Sequence, residues 1–252
     1  VDTEGVYNTA VEHMDAAIAQ LEAMKQQSAG LDNYLATELA TLEELFATMR
    51  ADLDAVRQND TQVSGAIDNM IASGQLMTTS GQTLYDLVLS LTLQMGAEDP
   101  AMGMGRITIA LAPAKEIGDI IEQARTDSRA VQYGLDLDTI PPLMELLDTL
   151  NEQGNALLGA LATEEAKAAV NEVLEASIGF RTALEGVETG MRNSEETIAH
   201  ARTTFLELND AVNAAVDTIT EASNYLNQNA ISTSNMVLLI MVVVGLVAVV
   251  FS

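Results

Sequence analysis

The sequence predicts an all-α fold of long antiparallel helices, and two observations carry this prediction. Proline occurs at only four of the 252 positions, so two very long stretches contain no residue that breaks a helix. Apolar residues recur every seven residues across both stretches, in a phase that is not lost. This spacing is typical of helices that pack on partners with nearly parallel axes.

The N-terminal half carries one apolar heptad series from Met14 to Leu91. A companion series is interrupted at several positions by polar residues or glycine. One helix across this whole half would be longer than a compact domain, so we expect the chain to reverse direction. The polar segment RQNDTQ (residues 57–62) is the predicted position, and SAGLD (28–32) and SGQ are the alternatives.

A loop is predicted at residues 96–106, where the sequence reads GAEDPAMGMGR. Within it, Asp99 and Pro100 are suited to start a turn of helix, because aspartate caps a helix and proline fits its first position. We expect the next helix to cover about residues 113–133.

A second loop is predicted at residues 134–142, GLDLDTIPP, with Asp138 or Thr139 capping a shorter helix over about 142–161. Thr163, followed by two glutamates, marks the start of the last helix, since acids are favoured at a helix N-terminus.

The last helix has two apolar seams in one phase, and no proline interrupts it. The seams begin at Val170 and Val173 and continue past Leu208, so the helix is predicted to extend to about Asn229, over roughly 100 Å. Five or six helices result, with long ones first and last. Because the long helices are about twice the height of an ordinary bundle, the economical arrangement is two stacked four-helix bundles that share them.

Residues 236–251 are consecutively apolar, with no charge, amide or hydroxyl. Sixteen residues of helix span about 24 Å, slightly less than a bilayer core, so we interpret residues 236–252 as a transmembrane helix cut within its span. No base lies between Arg202 and this run, which places residues 1–235 outside the cytoplasm and the protein in the inner (plasma) membrane. The alternative is a buried C-terminal strand or helix, which the run of valines would favour.

The charge balance argues against two kinds of binding partner. The chain has 37 acidic and 11 basic residues, a formal net charge of −26. Nucleic acid and anionic membrane surfaces are disfavoured as partners, because both require clustered Lys and Arg. An excess of acids with few lysines is typical of proteins that work in salty water, where ions screen self-repulsion.

Enzymatic constellations are missing from the sequence. There is no cysteine, His13 and His200 are isolated from each other, and no HExxH, P-loop or Gly-x-Ser-x-Gly pattern occurs. Glu196 and His200 are four residues apart, a spacing that more often gives a surface hydrogen bond than half of a metal site. We expect no enzyme, no catalytic or metal site and no cofactor.

One helix carries a candidate ligand-binding stripe. Arg125, Arg129 and Tyr133 are spaced i, i+4 and i+8, and Ser128 lies beside them. Facing a cleft between helices, such a stripe could bind a small carboxylate, since the guanidinium fork matches it in bidentate fashion.

Three further arginines are candidates for the same role: Arg50, Arg57 and Arg181 flank apolar seams. The alternative for all of these side chains is ordinary pairing with the abundant acids on a solvated face.

The heptad seams and the segment NAISTSNMVLLIMVVVGLVAVV together resemble the extracytoplasmic helical bimodular sensor region of methyl-accepting chemotaxis receptors, or of related sensor histidine kinases. The resemblance covers the whole chain and implies a homodimer that binds small organic acids between helices and signals to a cytoplasmic domain. Family members that bind dicarboxylates have arginines early in the first helix, whereas here none precedes Arg50. The sequence therefore leaves an organic acid, an amine or a periplasmic binding protein as the partner.

Two other classes fit the same pattern. A membrane-anchored helical scaffold or fusion-type protein would have the same seams without a small-molecule pocket. A surface stalk from a saline habitat would share both the charge and the apolar C-terminal run.

Overall fold

The computed structural model describes residues 3–28, 36–134 and 136–226, and within these ranges it contains helices and no β-strand. The prediction of an all-α fold is thus confirmed for the described part of the chain. Its helices are α1 (Thr3–Ser28), α2 (Ala36–Glu98), α3 (Pro100–Arg106), α4 (Ala112–Gly134), α5 (Ile140–Ala160) and α6 (Glu164–Leu226). Ile107–Leu111 forms a π-helical turn, and Leu137–Thr139 a short 3₁₀ turn.

The reversal predicted at residues 57–62 is wrong. These residues lie inside α2, which is helical throughout its 63 residues. The polar residue Asn59, which suggested a turn, instead donates a hydrogen bond from Nδ2 to Thr197 Oγ1 on α6, at 3.3 Å. A polar residue in a heptad seam can therefore be satisfied by a neighbouring helix without any break in its own. The direction changes between α1 and α2, where SAGLD was the alternative.

The predicted loop at residues 96–106 is also wrong in its extent. Only Asp99 lies outside a helix there, and its side chain accepts hydrogen bonds from the backbone N–H groups of Ala101 and Met102. The expectation that Asp99 and Pro100 start a helix is confirmed. Glycine did not mark a loop here, because Gly103 is buried against Gly96 of α2, where the two backbones approach closely.

The π-helical turn lies just before Pro113. Proline has no N–H to donate, and its ring clashes with the carbonyl four residues earlier. The backbone N–H of Ala112 donates to the carbonyl of Ile107, five residues back, so the helix is wider immediately before the proline. Widening of this kind accommodates the ring without ending the helix. From α3 to α4 the chain therefore stays helical.

The predicted helix at 113–133 is confirmed as α4, and the predicted start at Thr163 is confirmed by a 3.3 Å hydrogen bond from the backbone N–H of Ala166 to Thr163 Oγ1. The helix expected from residue 142 begins earlier, at Ile140. Thr139 precedes it but caps nothing with its side chain, which donates to the carbonyl of Asp136 instead.

The chain divides into two compact units. Unit 2 comprises Thr61–Met191 and is a four-helix arrangement built from the end of α2, the α3–α4 helix, α5 and the start of α6. Close contacts connect its neighbours in a ring: Gly81 with Ile121, Gln153 with Glu116, Gly154 with Leu174, and Gly74 with Phe180. The core of unit 2 contains Met77, Leu84, Ile117, Leu147 and Val170, all fully buried.

Unit 1 comprises Val1–Asp60 and Arg192–Ser252. Its described residues supply three helical segments, from α1, α2 and α6, so a fourth helix of the kind predicted is not among them. The pairs Lys25–Glu43 and Asp15–Arg50 show that α1 and α2 run antiparallel. Its core consists of Met14, Leu42, Phe46, Met49 and Leu208 with their neighbours.

The predicted transmembrane segment, residues 236–251, lies outside the described residues. Among the helices of residues 3–28, 36–134 and 136–226, none combines the length and the hydropathy needed to cross a bilayer.

Candidate functional site

A cluster of charged and aromatic side chains lies between α1 and α2 in unit 1. Its centre is Arg50, one of the predicted ligand-binding residues. Arg50 Nη1 lies 2.6 Å from Asp54 Oδ1, and Arg50 Nε donates to Asp15 Oδ1 at 3.2 Å. Tyr7 donates a hydrogen bond from its hydroxyl to the same oxygen of Asp54. The guanidinium carbon of Arg57, a second predicted residue, lies 4.8 Å from the centre of the Tyr7 ring.

Helix periodicity explains why these five residues meet. On α2, Arg50, Asp54 and Arg57 are spaced i, i+4 and i+7, and on α1, Tyr7 and Asp15 are eight apart, so each set occupies one helix face. We call these five residues the α1–α2 cluster. It contains two arginines and two aspartates, so its formal charges balance.

The electrostatics of the cluster follow from this proximity. The hydrogen bond from Arg50, and then the one from Tyr7, lower the pKa of Asp54, because both favour the ionised carboxylate. The hydrogen bond to Asp54 in turn raises the pKa of Arg50 further above its usual value. Asp54 is more than half exposed, so solvent screens this interaction and its contribution to stability is small.

The arginines of the cluster were predicted from the sequence, and its other members were not. Tyr7 lies one heptad before Met14, so extending the seam by seven residues would have placed it beside the arginines. The two aspartates had no comparable signal, because acids are frequent throughout the chain.

A second group of polar contacts connects α2 to α6 within unit 1. His200 Nδ1 lies 2.9 Å and 3.0 Å from the two carboxylate oxygens of Asp52, a residue only 9% exposed. The hydrogen bond between Asn59 and Thr197 connects the same two helices, two turns further along α2 and about one turn earlier on α6. Thr204 is buried in the same stretch of α6. The pairs Asp52–His200 and Asn59–Thr197 replace the usual apolar seam by directional contacts.

In unit 2 the third predicted arginine joins α6 to α5. Arg181 Nη2 donates to the carboxylate of Asp148 and, at 3.3 Å, to the backbone carbonyl of Met144. One turn earlier on α6, the fully buried Ser177 donates to Asn151 Oδ1 at 3.3 Å. Arg181 therefore connects α6 to α5.

The α4 stripe is divided between two environments. Arg125, Arg129 and Tyr133 are exposed, Tyr133 to 86%, and Arg125 pairs with Glu122 one turn earlier at 3.1 Å. Ser128 is instead buried in the core, where its hydroxyl donates to the carbonyl of Arg125. Its role in ligand binding stays a prediction.

Within the described residues, no group of three or more His, Asp or Glu side chains is arranged to hold a metal ion. His200, which the sequence placed one turn from Glu196, contacts Asp52 instead.

No protein-family model matches this chain, and no curated protein matches it either. Homology therefore assigns no activity to the α1–α2 cluster or to the polar contacts of α6.

Proposed function

We propose that residues 1–235 form the extracytoplasmic ligand-sensing domain of a transmembrane chemoreceptor or related sensor kinase in the inner membrane. One observation carries this proposal: α6 is a single helix, Glu164–Leu226, that contributes to the cores of both units. In the sequence, the apolar run of residues 236–251 follows nine residues after its end. A stiff helix between a sensing bundle and a membrane segment is what transmission of a small displacement requires.

The proposed mechanism is mechanical. A ligand bound between helices stabilises one of two packings, and α6 moves by an ångström or two along its axis. Two stacked bundles that share α2 and α6, and a homodimer, belong to the same proposal. The partner is a small organic acid, an amine or a periplasmic binding protein.

The α1–α2 cluster is the candidate ligand site that the contacts favour. A carboxylate ligand would take the place of Asp15 or Asp54 on Arg50, and an amine would take the place of Arg50 on the aspartates. The stacked pair of Tyr7 and Arg57 supplies a flat surface on the same side. Because each ionic partner is already present, a ligand must displace one of these contacts, so its binding is an exchange of partners within the cluster.

The test is a thermal-shift screen of the full chain in detergent, with dicarboxylates, monocarboxylates, amines and amino acids at constant ionic strength. We expect at least one compound to raise the melting temperature in a saturable manner, since a ligand that binds only the folded state stabilises it.

The double variant Arg50→Gln/Arg57→Gln should lose this shift, whereas Lys115→Gln, which removes an exposed ion pair to Asp119 on α4, should keep it. A shift lost instead in Arg125→Gln/Arg129→Gln would move the site to the α4 stripe. No shift with any of the compounds would favour the scaffold or stalk alternative.

A further inference from the structure

The face between α2 and α6 in unit 1 carries a column of polar residues at heptad spacing. On each helix its members are seven or fourteen residues apart, which places them on one side of that helix. The α2 members are Glu38, Asp52 and Asn59, and the α6 members are Thr197, Thr204 and Thr218. We call these six residues the polar column.

Two contacts fix the register of the polar column. Asn59 Nδ2 donates to Thr197 Oγ1 at 3.3 Å, and Thr218 Oγ1 donates to Glu38 Oε1 at 3.2 Å. The two contacts are twenty-one residues apart on both helices, which run antiparallel. The same register is therefore kept over three heptads.

In this register Asp52 and Thr204 lie opposite each other, since each is one heptad from the first contact and two from the second. Asp52 nevertheless has another partner. Its two carboxylate oxygens lie 3.0 Å and 2.9 Å from Nδ1 of His200, one turn before Thr204 on α6. The carboxylate is thus displaced by one turn from the residue that it faces.

Thr204 is left with a buried hydroxyl group and no partner for it. The residue is 3% exposed, and its hydroxyl forms no hydrogen bond within the described residues. The neighbouring Thr197 and Thr203 instead donate to the carbonyl four residues back in their own helix. A buried hydroxyl without a partner is unfavourable. Thr204 therefore offers a free donor to the carboxylate opposite it.

Asp52 thus has two donors one turn apart, and the charge of His200 decides between them. Histidine ordinarily changes its charge between about pH 5 and pH 8. A protonated imidazole attracts a carboxylate by charge as well as by hydrogen bonding, which makes the contact about twice as strong as a neutral one. A neutral imidazole lacks this advantage, and the His200 side chain is 60% exposed, so water competes for it. The buried hydroxyl of Thr204 has no such competitor.

Few other charged groups surround His200. On its own side of α6, the acids within two turns are Glu196 and Glu207, both exposed. No residue one turn from Asp52 on α2 is charged. Helix α1 packs on the side of α2 that carries Arg50, about 200° around the helix from Asp52. The titratable residues of α1 at this height, on that far side, are Glu12, His13 and Asp15. Within the described residues, Asp52 is the acid that contacts His200.

We propose that Asp52, His200 and Thr204 form a proton-operated switch between α2 and α6. Asp52 accepts from His200 while the imidazole is protonated, and from Thr204 when the imidazole is neutral. The carboxylate changes partner by rotation of its own side chain, so the helices keep their register. The switch makes unit 1 responsive to the pH of the solution. It does not rest on the proposed ligand site, since none of the three residues belongs to the α1–α2 cluster.

The first test is Thr204→Val, which removes the hydroxyl and keeps the shape of the side chain. Unfolding of the full chain in detergent is measured at about pH 5.5 and about pH 8, on either side of the histidine range, at constant ionic strength. At the higher pH the folding constant should fall about fivefold, because Asp52 loses a hydrogen bond. At the lower pH it should stay the same or rise, because the hydroxyl is then unpaired. Thr203→Val, whose hydroxyl bonds within its own helix, is the control and should act equally at both pH values.

The second test uses the fact that the chain has only two histidines. His200→Gln removes the titrating group, so the effect of Thr204→Val in this background should become the same at both pH values. His13→Gln, at an exposed position on α1, should leave the difference intact. Thr204→Ser retains the hydroxyl and should behave like the unaltered chain, and circular dichroism checks that each variant is helical.

The unaltered chain and His200→Gln give the same answer without the valine variant. Relative to His200→Gln, the folding constant of the unaltered chain should be about fivefold higher at the lower pH than at the higher one, since a charged hydrogen bond is replaced by a neutral one. An equal effect of Thr204→Val at both pH values, or a pH response that persists in His200→Gln, would overturn the proposal.

Discussion

The contact between Gly96 and Gly103 makes a direct prediction about two glycines of the same short helix. Gly103 is buried against α2, whereas Gly105, two residues later, has nothing within 4 Å of the position that a Cβ atom would occupy. Alanine at these two positions is chemically the same change in the same helix. We expect Gly103→Ala to destabilise the protein and Gly105→Ala to stabilise it.

The magnitudes follow from the distances. The new methyl group at position 103 would lie 2.5 Å from the Cα and 3.1 Å from the backbone nitrogen of Gly96, where ordinary contacts begin at 3.4 Å. Both atoms are backbone, so no side chain can rotate away and α2 and α3 must move apart. Overpacking costs typically 1–3 kcal/mol, about 1 kcal/mol of which is offset by the higher helix propensity of alanine. The net loss is therefore about 0–2 kcal/mol, and Gly105→Ala gains roughly 0.5–1 kcal/mol.

The assay is chemical denaturation of the full chain, with helix content followed by circular dichroism. The free energies of unfolding of the two variants should differ by about 2 kcal/mol in the transition that reports unit 2. A Gly103→Ala chain as stable as the Gly105→Ala chain would show that α2 and α3 are not in backbone contact at Gly96 and Gly103.

Three further predictions concern α6, the α1–α2 cluster and the charge of the chain. Glycine at both Ala214 and Ala215 should abolish signalling in a receptor hybrid that joins this chain to a kinase-controlling domain. Glycine at Ala16 and Ala17, an equivalent exposed and buried pair on α1, should cost a similar 2–3 kcal/mol of stability and leave signalling intact. Equal signalling by both hybrids would contradict the role of α6. The pKa of Asp54 is lowered in the folded state, so its ion pair stabilises the fold above the unfolded pKa of about 4, and this stabilisation is lost as the pH falls through the lower folded pKa. Asp54→Asn should therefore reduce the free energy of unfolding by about 0.2–1 kcal/mol at pH 6 and by less at pH 3, as measured by unfolding at the two pH values. An effect that grew towards pH 3 would have the wrong sign. Added sodium chloride should raise the melting temperature in calorimetry, since salt screens a net charge of −26, and an unchanged or lower value would count against adaptation to a saline habitat.

The sequence was sufficient to predict the parts of the fold that depend on regular periodicity. The predicted seams are buried in unit 2, as shown by Val170, Val173, Phe180, Leu184 and Val187. The prediction succeeded because a heptad phase that is read over many turns averages out single exceptions. The start of α6 and the extent of α4 followed from local capping and proline rules in the same way.

Features that depend on a distant partner could not be read locally. Asn59 suggested a turn, yet its partner Thr197 is 138 residues away, and the glycines at 96 and 103 suggested a loop, yet they pack on each other. The exposure of Arg125 and Arg129 could have been predicted, because the core positions Ala124 and Ser128 fix which face of α4 is buried.

The polar pairs between α2 and α6 in unit 1 have a consequence for how these two segments can move. Apolar side chains slide past one another through many intermediate arrangements of similar energy, but a hydrogen bond is either formed or broken over a few tenths of an ångström. An axial displacement of α6 that exceeds the reach of these side chains must release Asp52 from His200 and Asn59 from Thr197. If α6 carries a signal as proposed, such contacts would restrict it to a few discrete registers, and its response would be set by the fraction of molecules in each register.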